Sequence, residues 1–198
     1  MTKEWNEAYE GARPPWDCGV PSRDLTEVVE TGRVRPCRAL EFGCGTGTNA
    51  IYLAAQGFDV TGVDIATHAL KQAEEKAKKA RVRVRFIHAS VTKLPSLGRP
   101  FDFVFDRGCF HTLENEDRPR YLKGLKRYTS PGTLFLLLCG SAKGRWPDTE
   151  GPPKVRKCEI VQCFTRDFDI VRISDTHFED ATGGPTGPIA YVVWLVRI

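Results

Sequence analysis

Residues 38–49, Arg-Ala-Leu-Glu-Phe-Gly-Cys-Gly-Thr-Gly-Thr-Asn, constrain the fold most, because a short apolar run ends there on three glycines spaced two apart. The stretch reads as strand, tight turn and helix start. Gly43, Gly45 and Gly47 permit backbone conformations barred to residues with a Cβ and clear side chains from where a ligand would lie against the main chain. Ile51, Ala54 and Ala55 then share one helix face, so the helix's first N–H groups point back at the turn and favour a carboxylate or phosphate. A second apolar run, residues 58–63, ends in Asp64, near the roughly 20-residue offset at which a βαβ unit places an acid on ribose hydroxyls.

The spacing is G-x-G-x-G, with Thr48 where a dinucleotide fingerprint carries its third glycine, which weakens a pyrophosphate-binding reading. A nucleotide-dependent oxidoreductase is therefore the disfavoured rival. Glycine-rich turns also occur without any ligand, and a catalytically silent module that keeps the pocket for regulation is the second rival.

Residues 41–49 followed by Val60-Thr-Gly-Val-Asp-Ile65 resemble the cofactor-binding half of the class I S-adenosylmethionine-dependent methyltransferases. The resemblance implies an α/β, Rossmann-like methyltransferase fold: a mostly parallel seven-stranded sheet with an antiparallel C-terminal hairpin and helices on both faces. It implies S-adenosyl-L-methionine as cofactor, its zwitterionic end on the turn formed by Glu41, Gly43, Cys44, Gly45, Thr46, Thr48 and Asn49. Asp64 would take the ribose hydroxyls, since two carboxylate oxygens match two adjacent donors. Ile65 would pack on the adenine face and Ser90 and Val91 would meet its edge, Ser90 standing where the superfamily usually carries an acid.

The 198 residues suit a single domain, 1–198, divided into an N-terminal arm or lid, 1–21, and an α/β core, 22–198. The net charge of +4 is spread among interleaved acids and bases, so no nucleic-acid footprint is implied. No apolar run approaches the ~18 residues of a membrane span, and the first residues do not read as a signal peptide. A cytoplasmic protein is expected, with no membrane partner. Seven cysteines show no zinc spacing and sit mostly in apolar runs, as buried free thiols in a reducing compartment do. No metal is implied. Oligomeric state has no sequence signal, and a monomer is the default.

In the arm, Trp5 and Tyr9 are four apart and share a helix face, while Pro14 and Pro15 stiffen the approach to Trp16. Trp16 reads as a lid over the cofactor; Trp5 reads either as part of that lid or as an aromatic docked on the domain surface. The pattern Trp…Pro-Pro-Trp-Asp…Gly-Val-Pro-Ser also resembles the arm of the thiopurine, thiol and tellurite-resistance methyltransferases, a small-molecule branch. Ser22 is the expected N-cap of a helix stopped by Gly32. Further on, the pattern predicts a surface helix over 67–80, strands at 82–87, 101–105 and 133–139, and helices over 116–128 and 154–165. The segment 140–153, with Trp146, reads as a loop, and the strands at 168–178 and 189–198 pair antiparallel.

The segment after the fourth strand, Asp106-Arg-Gly-Cys-Phe-His111, should face the transferable methyl group, because ligands lie off the carboxyl ends of strands in open α/β sheets. It lacks the Asn/Asp-Pro-Pro-aromatic motif of enzymes that methylate nucleic-acid amino groups, and resembles the small-molecule branch. Asp106 reads as a cofactor contact or as a partner for Arg107 or the loop backbone. Arg107 and Phe110 are the expected substrate contacts, Phe110 having also a plain core reading. His111 is the candidate general base and a substrate contact, unless it only hydrogen-bonds the loop. These features imply methyl transfer to a small molecule whose acceptor is sulfur or another soft, thiopurine-like nucleophile.

Overall fold

A computed structural model describes residues 2–11, 13–145, 151–180 and 182–198. Trp146 lies outside the described residues. A short helix α1, Thr2–Ala8, belongs to the arm, and α2, Arg23–Glu30, opens the core. The elements β1 Arg38–Phe42, α3 Thr48–Ala55, β2 Asp59–Asp64, α4 Thr67–Ala80 and β3 Val84–His88 then alternate as the apolar runs and glycine turn require. They are followed by β4 Phe101–Arg107, α5 Arg118–Arg127, β5 Thr129–Gly140, α6 Lys157–Phe164, β6 Phe168–His177 and β7 Ile189–Arg197.

The seven strands lie in the order β3-β2-β1-β4-β5-β7-β6. The first five in that order are parallel; β7 is antiparallel to both β5 and β6, which leaves β6 at the edge. Alternation along the strands splits the core in two. Leu40, Phe42, Phe135 and Leu137 pack with Tyr121 and Leu125 of α5 and Phe164 of α6. On the opposite face Ala39, Phe103, Phe105 and Leu136 pack with Leu25 and Val28 of α2 and Ala50 and Leu53 of α3. The expected Rossmann-like sheet, its C-terminal hairpin and its helices on two faces are all present.

Two local expectations change. Ser22 precedes α2 as predicted, but its hydroxyl makes no cap bond and is buried without a partner. Its backbone N–H instead donates to Asn49 Oδ1 at 2.9 Å, which ties the end of the arm to the start of α3. Strand β5 begins at Thr129, four residues before the predicted start, and its register against β4 shifts between Phe101 and Phe103. Pro131 cannot donate to a ladder, and Thr133 Oγ1 bridges the irregularity by accepting from Ser130 N and donating to the Phe101 carbonyl. Among the described residues no helix is long and apolar enough to cross a membrane.

Candidate functional site

The site starts at the glycine turn between β1 and α3. Gly43 and Gly45 have φ of 63° and 52°, the left-handed region that glycine tolerates best. A Cβ on Gly43 would lie 2.6 Å from Cys109 Cβ, so this glycine also lets the β4 loop close against the turn. Asp64, at the tip of β2, accepts the Gly45 N–H at 2.7 Å through Oδ2 and the Ala66 N–H at 2.8 Å through Oδ1. Each oxygen keeps a second lone pair, so the carboxylate fixes the turn and can still accept from a ligand. Burial pushes its pKa upward.

Glu41 is buried on the α3 side of β1. Its Oε1 accepts from Asn49 Nδ2 at 3.1 Å, while Oε2 is buried with no hydrogen-bond partner. Burial holds its pKa up at about 8. A buried oxygen without a partner is costly, and beside a ligand-sized turn it marks a place for a donor or a cation.

The arm crosses over this turn. Trp16 Nε1 donates to Tyr9 Oη at 3.0 Å, and the Trp5 and Trp16 rings meet edge to face at 5.8 Å. Asp17 Oδ2 accepts from Thr46 Oγ1 at 2.8 Å, with Lys76 of α4 bonded to the same threonine. Below the arm lies a cavity of about 60 Å3 lined by residues that include Trp16, Glu41, Gly43, Gly45, Thr48, Asn49 and Arg107. A larger cavity, about 650 Å3, lies between the arm and the α3 and α4 helices, walled in part by Arg13, Tyr52 and Lys76. Asp64 lines neither cavity, and Arg107 of β4 lines only the smaller one. The smaller space adjoins Glu41 and the glycine turn but is well below the ~300 Å3 of a small-molecule pocket.

At the carboxyl end of β4 four candidate residues all meet protein groups. Asp106 is fully buried, accepting from the Cys109 and Phe110 N–H groups and from Tyr121 Oη at 2.7 Å. It shapes the loop, as one of its sequence readings had it, and is not the partner of Arg107. Arg107 instead pairs with the buried Glu179, Nη2 to Oε2 at 2.6 Å, and donates from Nη1 to the Trp16 carbonyl. Its guanidinium is thus committed to protein groups, although its side chain lines the smaller cavity. Phe110 is fully buried against Tyr121 and Phe164, so its core reading holds and the pocket-wall reading does not.

His111 is also buried, its ring edge to face with Phe178. Its Nδ1 lies 2.8 Å from Gly140 N. A main-chain N–H can only donate, so Nδ1 accepts and the ring proton sits on Nε2. Burial and the Arg107 charge push its pKa down to about 3. The ring is neutral here, with its basic nitrogen engaged by the Gly140 N–H.

At the end of β3, Ser90 Oγ bonds to Thr92 Oγ1 at 2.8 Å and accepts from Thr92 N, while Ile65 is half-buried. The Val91 side chain belongs to the core. Sequence reasoning missed Tyr9, Asp17, Lys76 and Glu179 as parts of the site. Asp17 sits within the Pro-Pro-Trp-Asp pattern and was within reach of that signal. Glu179 lies 72 residues from Arg107, with no local pattern to announce the pairing.

The profile of a family described as a methyltransferase domain matches residues 39–132, and an uncharacterized methyltransferase of Schizosaccharomyces pombe is 35% identical over 110 residues, 55% of this chain and 75% of that protein. A 2-heptyl-1-hydroxyquinolin-4(1H)-one methyltransferase of Mycobacteroides abscessus is 29% identical over 164 residues, 82% of this chain and 72% of that protein. A probable thiol methyltransferase of Arabidopsis thaliana is 30% identical over 152 residues, 75% of this chain but only 65% of that protein's length. Among solved structures, one described by the conversion of a disulfide bond into a thioacetal group during echinomycin biosynthesis superposes with a TM-score of 0.88. It is 26% identical, and the match covers 100% of this chain and 93% of that one.

Proposed function

The chain belongs to the S-adenosylmethionine-dependent methyltransferases, and from that premise we propose that it methylates a small molecule whose acceptor atom is sulfur or a similarly soft nucleophile. The observation that carries this reading is the state of His111, whose basic nitrogen is already engaged by Gly140 N–H. Among the described residues at the end of β4, the other titratable groups are no better placed: Asp106 is spent on the loop and Cys109 has a thiol raised by burial. An acceptor there gains no proton acceptor from these groups and must ionise on its own. Thiols are a few per cent thiolate near neutral pH and meet that condition, whereas alcohols do not. The name of the thiol methyltransferase and the sulfur chemistry of the echinomycin structure are in keeping with it, while the hydroxyquinolinone, which holds no sulfur, supports only the small-molecule part.

The cofactor supplies a methyl group already activated on a sulfonium. On the side of the chain, the ribose hydroxyls fall to Asp64, and the amino-acid end to the main chain at 43–47 and to the unpartnered Glu41 Oε2, which suits an ammonium. Ile65 and Ser90 are left for the adenine. Tyr9, Trp5 and Trp16 cover the site and exclude water, and the remaining task is to hold the acceptor in line. We also take residues 1–198 as one unit with a closing arm, working as a monomer in the cytoplasm, in keeping with its seven free cysteines.

Transfer of labelled methyl from S-adenosylmethionine to a panel of thiols, thiopurines and halides, set beside phenols, alcohols and amines, tests the proposal. Turnover should favour the soft anions. Transfer confined to amines or alcohols would contradict it, and no transfer to any acceptor would favour the silent binding module.

A further inference from the structure

The Arg107–Glu179 pair has no part in the chemistry above, yet it is the most enclosed ion pair of the site, with side-chain exposures of 11% and 0%. Glu179 Oε2 accepts from Arg107 Nε and Nη2, and Oε1 accepts from Arg23 N at 2.9 Å, the first residue of α2. The third face of the guanidinium donates to the Trp16 carbonyl at 3.2 Å. One carboxylate therefore joins three parts of the chain: the β6–β7 connection, the end of β4 and both ends of the segment that carries Trp16. Packing repeats the link, since a Cβ on Gly183 of the same connection would lie 2.7 Å from Val20 of the arm. Phe178, the neighbour of Glu179, lies under the Arg107 guanidinium and against His111 at the end of β4.

We infer that Glu179 is a positioning residue for closure over the cofactor: through Arg107 it holds the Trp16 carbonyl, so that the arm and the β6–β7 connection close as one body. The inference rests on Trp16 being the lid. Without the carboxylate, Arg107 keeps its charge but loses the partner that aims it, and truncating one member of a buried pair leaves the other uncompensated. Arm closure then loses its anchor on the acceptor side, while the Asp17–Thr46 contact on the cofactor side stays.

The test is calorimetric titration of S-adenosylhomocysteine into the wild type, Glu179→Gln, Trp16→Ala and the double variant. Glu179→Gln keeps an acceptor for Arg23 N and should weaken binding about tenfold, Trp16→Ala similarly, and the double variant no more than about threefold beyond either single one, because both act through the same closure. Losses that multiply in the double variant, or unchanged affinity in Glu179→Gln, overturn the inference. Hydrogen exchange on the wild type decides independently of whether the variants fold: residues 13–20 and 182–187 should gain protection together on adding S-adenosylhomocysteine. Protection of 13–20 alone overturns it. Wild-type binding is the control that separates failure of this link from failure of the cofactor reading.

Discussion

Glu41 carries an unusual burden for a single carboxyl group: it is buried, half satisfied, and holds its proton up to about pH 8. Its folded pKa is raised above 4.5, so between about 4.5 and about 8 the folded protein keeps a proton that the unfolded chain releases. Stability therefore falls as pH rises through that window. Glu41→Gln removes the effect, and its melting temperature should climb relative to wild type by ~2 °C or more between pH 5 and pH 8.5. An ammonium placed at Oε2 would ionise the group, so binding S-adenosylmethionine at pH 7 should release ~1 proton. Titrations in buffers of different ionisation enthalpy measure it, and Glu41→Gln should abolish the release. His111 gives the complementary case. His111→Asn offers Gly140 N–H an alternative acceptor, and its pH–rate profile should keep the wild-type shape, following the acceptor's own ionisation; loss of a limb near neutral pH would restore the histidine as base.

At the scale of elements, the arm and the β4 loop divide the work. The arm brings Tyr9, Trp16 and Asp17 onto the turn through side-chain contacts and the Trp16 carbonyl, and the Trp16 ring is 45% exposed. Trp16→Ala should weaken S-adenosylhomocysteine binding at least several-fold with the melting temperature of the free protein nearly unchanged. Phe110→Ala should do the reverse, costing ~3–5 kcal/mol of stability as a buried aromatic does, with affinity of the folded protein retained. The glycine turn and Asp64 could be located in the sequence because their geometry is local: φ values and an offset of one βαβ unit fix them. The β4 loop could not be read the same way. Whether Asp106 faces a ligand or the loop depends on Tyr121, and whether Arg107 is free depends on Glu179, and both partners come from distant elements. Phe110 and His111 lie in the loop that the sequence pointed to, and the choice between their core and pocket readings turned on a three-residue helical turn at Phe110–Thr112 that buries both rings.

For the whole molecule, periodicity and the two apolar runs sufficed to announce an α/β sheet, and the short connection before β7 announced its antiparallel pairing. The insertion of β7 beside β5, and the bulge that starts β5 early, depend on register, which hydrophobic pattern alone leaves undetermined. Folding and binding are linked at this scale: S-adenosylhomocysteine at ~100 times its dissociation constant should stabilise the protein by ~2.7 kcal/mol, a rise of ~5–10 °C in melting temperature, while NAD at the same concentration should leave it unmoved. The account as a whole depends on one claim, that the turn at 43–47 and Asp64 grip opposite ends of the cofactor. Calorimetric titration of S-adenosylhomocysteine into wild type and Asp64→Asn tests it most directly. Loss of the charged acceptor should weaken binding by ~10-fold or more; a folded Asp64→Asn protein that binds as tightly as wild type would contradict it.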